Sequence, residues 1–163
     1  MKILKKTSIL TKFFIYLFFL FFVKFTDLEV LSKNIRVIDG DTIYFNKIKY
    51  RLYGIDAPEI KQTCKKNKKS YECGKMSKRF LESQIIGESF FCEAKDKDRY
   101  KRIVAICYIN NLDLNKIMVK NGWAVAYRKF SNKYISEEIF AKHNKLGIWE
   151  GTFMEPSLWR RFH

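Results

Sequence analysis

Val37-Ile38-Asp39-Gly40-Asp41-Thr42-Ile43-Tyr44-Phe45 and, shortly after, Arg51-Leu52-Tyr53-Gly54-Ile55-Asp56-Ala57-Pro58-Glu59 decide how this chain is read. β-branched and aromatic residues flank the Asp39-Gly40-Asp41 turn signal, so 34–38 and 42–45 read as strands. Asn46-Lys47 turns the chain again. Residues 48–55 read as a third strand, with Ile48, Tyr50, Leu52 and Gly54 alternating with Lys49, Arg51 and Tyr53. In a meander the second and third strands are antiparallel neighbours. The start of one faces the end of the other, which brings Asp41 and Asp56 together despite their separation in sequence.

Further along, a basic loop covers 61–71. Residues 75–86 have helical spacing, with Met76, Phe80, Leu81 and Ile85 on one face and Gly87 as a stop. Residues 89–94 and 103–109 read as a hairpin around the charged loop 95–102. Asp113 is placed to cap a helix that runs to Asn121 and ends at Gly122. A short apolar stretch, 123–127, precedes an amphipathic helix over 136–146, closed by Gly147. The aromatic and basic tail, 150–163, has no assignable pattern. Five short strands followed by about three helices predict an α+β fold built on a small β-barrel.

The chain has 163 residues, enough for one domain with a substantial core. Its net charge is +15, of which the first 29 residues contribute only +3. A small basic domain of this kind suits a polyanionic partner such as nucleic acid or an anionic membrane surface. Lys2, Lys5, Lys6 and Lys12 precede an apolar run at 13–23 closed by Lys24, the pattern of a secretory signal. The run is shorter than the ~20 residues of a spanning helix. No small-x-small cleavage site follows it. Residues 1–29 are therefore expected to be a signal peptide or an N-terminal membrane anchor, with export to the periplasm or the exterior. Residues 30–150 form the expected domain and 151–163 a tail.

Four cysteines, Cys64, Cys73, Cys92 and Cys107, fit an exported chain with two disulfides. Three pairings are open. Cys64 with Cys73 closes the basic loop and Cys92 with Cys107 joins two neighbouring apolar runs, which makes this pairing the preferred one; buried, reduced thiols at Cys92 and Cys107 are the alternative. Without a CxxC spacing, and with both histidines distant, a zinc site is disfavoured.

The chemistry rests on a constellation, since each piece alone is an ordinary turn, loop or surface charge. Asp41, Asp56 and Glu59 stand at strand ends, where carboxylate oxygens suit a hard cation and a third carboxylate can deprotonate a water. Arg51 and Arg102 supply planar guanidinium groups that match the equatorial oxygens of an attacked phosphodiester. No Ser-His-Asp or Cys-His set competes. His143 and His163 have no evident partners and read as surface or cap residues.

Val37 to Thr42, Arg51 to Glu59 and Asp98-Arg99-Tyr100-Lys101-Arg102 together resemble the signature of staphylococcal nuclease-like domains. The order is also kept downstream in Asp113-Leu114-Asn115, Gly122-Trp123-Ala124 with Tyr127, and Gly147-Ile148-Trp149. The resemblance covers about 34–149. It implies a five-stranded OB-fold barrel with helices and an endonuclease that hydrolyses DNA and RNA with little sequence specificity. It further implies a calcium ion held by Asp41, Asp56 and the backbone carbonyl of Ala57, with Asp39 behind them. By the same resemblance Glu59 is the general base, Arg51 and Arg102 bind the phosphate, Arg99 and Tyr100 contact a neighbouring phosphate, and Tyr127 lies near a base. Two departures stand out: Ala57 replaces a Thr, where only the carbonyl is needed, and Lys101 replaces a Gly in the third motif. A noncatalytic nucleic-acid-binding OB module is the alternative. It explains charge and aromatics but not the acidic residues, because carboxylates facing phosphate weaken binding unless a cation intervenes.

Overall fold

The computed structural model describes residues 16, 18, 35–86 and 89–163. The expected signal or anchor therefore lies almost wholly outside the described residues, as does Gly87. Among the described residues no helix is long and apolar enough to cross a membrane.

The three-strand meander is present. β1 (Ile35–Asp39), β2 (Thr42–Phe45) and β3 (Ile48–Leu52) pair antiparallel in that order, with Thr42 opposite Arg51. The third strand is shorter than the sequence suggests. Gly54 takes a φ of +71°, a left-handed conformation open to glycine at no steric cost, and it breaks the strand. The chain resumes as β4 (Ile55–Asp56), which leaves the main sheet to pair with β10 (Val125–Ala126).

The basic loop holds a small hairpin, β5 (Cys64–Lys66) and β6 (Lys69–Tyr71). α1 (Cys73–Gln84) follows, starting and ending two residues before the expected limits. Leu81 is fully buried and Phe80 and Ile85 lie against the core, but Met76 points outward and is 42% exposed. β7 (Phe90–Lys97) and β8 (Ile103–Ile109) form the expected hairpin. β7 reaches three residues further than predicted, so the connecting loop is short. β8 also pairs in parallel with β3, giving the order β1-β2-β3-β8-β7, with β9 (Leu112–Asp113) on β8. This five-strand path with helices is an α+β fold of the OB-like type, and among the described residues no pairing closes β7 onto β1.

Four α-helices and one 3₁₀ turn are described, one α-helix more than expected. α2 (Leu114–Lys120) is capped by Asp113, whose carboxylate accepts from the Lys116 N–H. α3 (Ile135–His143) carries Lys142 and His143 in its last turn, where the Lys142 charge is favourable to the helix dipole. After the 3₁₀ turn Gly147–Glu150, the tail forms α4 (Pro156–Phe162), opened by a proline in its first turn. The cysteines pair as Cys64–Cys73 and Cys92–Cys107, the second bridge lying directly across β7 and β8.

Ile43, Leu52, Leu81, Ala105, Cys107, Leu114 and Met118 fill the core between sheet and helices. One polar group holds these layers in register. Buried Asn115, on α2, accepts from the Cys107 N–H at 3.1 Å and donates to the carbonyls of Tyr53 (2.9 Å) and Ala105 (3.1 Å). It thus fixes both the β3–β4 turn and β8. Asn115→Ala strands the Cys107 N–H and the Tyr53 carbonyl, while the Ala105 carbonyl still accepts from the Tyr53 N–H at 2.8 Å, and the expected loss is about 3 kcal/mol of stability. Urea unfolding checks this, and a loss well below about 1 kcal/mol would assign Asn115 no such role.

Candidate active site

The site forms where the β1–β2 turn, β3 and β4 meet. Asp41 and Asp56 are both buried, and the Arg51 guanidinium lies between them. Arg51 Nη1 pairs with Asp41 Oδ2, and Nη2 donates to Asp56 Oδ1 at 2.9 Å. The register makes this unavoidable, because Arg51 stands opposite Thr42, one residue past Asp41. The Ala57 N–H donates to Asp41 Oδ2 at 2.9 Å and the Thr42 hydroxyl to Asp41 Oδ1 at 3.2 Å. The Asp41 N–H donates to Asp39 Oδ1 at 3.0 Å, so Asp39 braces the turn from behind.

Glu59 sits on the turn after β4. Its N–H donates to the Gln62 side chain, and Gln62 donates in turn to the Met154 carbonyl at 2.7 Å. The first turn of α1 presses on this loop so closely that a Cβ at Gly74 would lie 1.7 Å from the Glu59 carbonyl oxygen. The Glu59 carboxylate does not touch Asp41. It reaches Asp56 only through Arg160, a residue of the tail for which the sequence gives no account. Arg160 Nη1 donates to Asp56 Oδ1 (2.9 Å) and Glu59 Oε1 (2.8 Å), and Nη2 to Asp56 Oδ2 (3.0 Å).

Arg102 approaches from the opposite side. Its Nε donates to Asp98 Oδ2 at 2.7 Å, and its Nη1 reaches the Thr42 hydroxyl at 3.4 Å. Asp98 also accepts from the N–H groups of Tyr100 and Arg102, closing the loop around itself. Desolvation would raise the Asp98 carboxyl, but the Arg102 hydrogen bonds outweigh it and hold it below the usual carboxylate range. Lys101, the departure noted in the third motif, adopts φ +64°. That left-handed conformation favours glycine, and a side chain there costs on the order of 1 kcal/mol. The loop keeps its shape because Asp98 over-determines it.

Both Arg99 and Arg102 lie over the exposed Tyr100 ring. A groove of about 390 Å³ beside them is lined by Tyr44, Lys49, Lys97, Tyr100, Lys101 and Arg102. Its lining includes none of the three acidic site residues. Tyr127 follows β10, whose Val125 pairs with Asp56, and it packs edge-on against Phe130.

Crowded carboxylates show in the electrostatics. Burial, and then Asp41, push the Asp39 carboxyl up to about 7. Burial also raises Asp56; the Arg160 hydrogen bonds pull it back, Asp41 adds repulsion and Arg51 attraction, and the net direction is upward. For Arg51, burial disfavours the charged form, but Asp41 and Asp56 more than offset it.

The donor set fits one hard cation. Asp56 accepts three hydrogen bonds and Asp41 accepts two besides its ion pair, of the roughly four lone-pair sites a carboxylate offers. Each carboxylate thus keeps acceptor capacity in a place where positive charge relieves repulsion. Among the described residues no three Asp, Glu, His or Cys side chains converge as a cation cluster, so any such ion must draw on backbone oxygen as well as the acidic pair.

A small α+β domain whose buried acidic pair is flanked by guanidinium groups has the groups that phosphate-ester chemistry uses. Residues 49–151 match the pattern of the family described as "Staphylococcal nuclease homologue". The chain belongs to that family. It is 36% identical over 151 residues to an uncharacterized endonuclease of Haemophilus influenzae, covering 84% of this chain and 80% of that one. It is 37% identical over 126 residues to the succinoglycan biosynthesis protein ExoI of Rhizobium meliloti, covering 74% of this chain and 65% of the other. A probable staphylococcal-like nuclease of Oryza sativa is 32% identical over 139 residues, 83% of this chain and 34% of its own length.

Asp39 carries a testable consequence. Between the unfolded value of 3.8 and about 7, the folded protein holds a proton that the unfolded chain has lost. That contribution to stability is complete below the lower value and disappears as pH rises through the upper one. Asp39→Asn keeps the acceptor for the Asp41 N–H but does not titrate. In chelator, the variant should gain on the wild type as pH goes from 4 to 7, as read by urea unfolding. A difference that stays flat over that range would contradict the assignment.

Proposed function

We propose that the protein is a calcium-dependent endonuclease that hydrolyses phosphodiester bonds of DNA and RNA with little sequence preference. The observation that carries this reading is the buried Asp41–Arg51–Asp56 centre, with Glu59 and Arg102 on either side of it. Family membership and the endonuclease-named relatives support the reaction class.

Asp41, Asp56 and the Ala57 carbonyl would hold the calcium, which when bound supplies positive charge for the oxygens of the scissile phosphate. Glu59 takes a proton from the attacking water. The water oxygen forms a bond to phosphorus as a phosphate ester P–O bond breaks, and the departing oxygen takes a proton from solvent, releasing an alcohol and a phosphate monoester. Arg51 and Arg102 offset the charge that develops on the equatorial oxygens. Arg102 is aimed by its bond to Asp98, which leaves its outer nitrogens for substrate. The basic groove at Lys49, Lys97 and Lys101 attracts the backbone, and Tyr100 and Tyr127 offer stacking faces that any base can use. The N-terminal basic and apolar pattern supports export, with membrane attachment at 13–23 where that segment is retained, and two disulfides suit an oxidising compartment.

The test is incubation of the full chain with single-stranded DNA in calcium and then in chelator. Cleavage should require calcium, and Glu59→Gln should lower turnover by about 10²–10⁴-fold with binding retained. A folded, calcium-loaded protein that binds DNA but never cuts it would instead be a noncatalytic binding module.

A further inference from the structure

The tail of the chain enters the site through one side chain. We propose that Arg160 is a positioning residue for hydrolysis, holding the Glu59 carboxylate in place beside Asp56. This rests on the nuclease reading above and extends it to α4, a segment beyond the stretch that matches the family pattern.

Three observations carry it. First, Arg160 supplies the hydrogen bond to Glu59 Oε1 at 2.8 Å, and among the described residues no other side chain bonds or pairs with that carboxylate. Without Arg160, Glu59 would be free to swing away from Asp56, a neighbour that repels it. Second, the same guanidinium grips both oxygens of Asp56, at 2.9 and 3.0 Å. A planar fork can fix the plane of one carboxylate while its shared nitrogen fixes the distance to a second; an ammonium group offers no such geometry. Third, the segment that leads into α4 is anchored independently of Arg160. Fully buried Gln62 accepts from the Glu59 N–H and donates to the Met154 carbonyl, while Lys65 and Thr152 exchange backbone hydrogen bonds at 2.8 and 2.9 Å. The turn that bears Glu59 and the segment that bears Arg160 are therefore tied to one another, and the guanidinium arrives at a set place.

The arrangement also differs from a plug. Asp56 retains acceptor capacity with Arg160 in place, so positioning does not require the arginine to leave when a cation binds.

A double-mutant cycle tests the inference. Turnover and KM on a single-stranded oligonucleotide would be measured at saturating calcium for the wild type, Arg160→Ala, Arg160→Lys, Glu59→Gln and the Glu59→Gln/Arg160→Ala pair. Calcium affinity would be measured by calorimetry, and hydrogen exchange over 156–162 in the metal-free protein. Positioning predicts that both single Arg160 variants lose about 100-fold in kcat with KM within about threefold. It predicts that Arg160→Ala costs less than about threefold more once Glu59 is Gln, and that calcium affinity stays within about threefold of the wild type. Equal losses in both backgrounds would overturn it, since Arg160 would then act through the fold or another group. Unchanged or raised turnover with tighter calcium binding would also overturn it and make Arg160 a competitor of the cation. If Arg160→Ala fails to fold, Arg160→Lys carries the cycle. A wild-type chain that does not cut sinks the nuclease reading and this inference together, whereas cutting without coupling sinks this inference alone.

Discussion

A guanidinium buried between two carboxylates is the constraint on which the rest of the structure depends. Each of Asp41, Arg51 and Asp56 alone would be costly to remove from water; the guanidinium makes the two acids tolerable and they make it so, with Arg160 adding a second cation at Asp56. Their meeting requires the β2–β3 register that sets Thr42 opposite Arg51, and it requires the chain to leave the sheet at Gly54 so that Asp56 returns over the same spot. A slip of one residue in β3 would turn Arg51 to the opposite face and take from both acids the cation they share. The fold and the site are in this sense a single condition on the sequence.

Charge is distributed to serve that centre. The chain is strongly basic, yet Asp39, Asp41 and Asp56 meet where β1, β2 and β4 begin or end. Lysines and arginines line the groove beside Arg102, so a polyanion is drawn toward a place whose own potential is locally negative. Such a juxtaposition opposes binding by itself and is sensible only if positive charge intervenes. Arg51 and Arg160 supply part of it; the Asp39 and Asp56 carboxyls are nevertheless raised, by burial first and by the neighbouring Asp41 as well. A hard cation at the acidic pair would complete the balance with the oxygen donors it prefers.

Much of this was legible in the residues. The meander, the Asp113 cap, the β7–β8 hairpin and the convergence of Asp41 with Asp56 follow from alternation, turn chemistry and strand pairing. What local pattern could not give are facts set by distant partners. The third strand ends early because Gly54 answers to the β10 pairing rather than to its own alternation. Met76 satisfies helical spacing but stands on the rim of the buried face, which Leu81 occupies more fully. Lys101 in a left-handed conformation is understood only once Asp98 is seen to hold the loop from within. Arg160 left no signal beyond a proline near the start of its helix, because its function depends on residues a hundred positions away.

That last separation bears on how the domain is assembled. The acids and Arg51 come from a local meander, Arg102 from the following hairpin and Arg160 from the end of the chain, so the site is completed only when the last helix docks. Gln62 makes docking and site geometry interdependent, since its amide bonds the Glu59 turn with one atom and the tail with the other. A surface ion pair on a free tail would be weak, because two long side chains must be ordered in high dielectric. Here the partner Asp56 is buried and the backbone on both sides is already fixed, so little entropy remains to be lost and the guanidinium meets Asp56, though not the partly exposed Glu59, in low dielectric. The tail is thereby as much a part of the acidic centre as the strands that carry it.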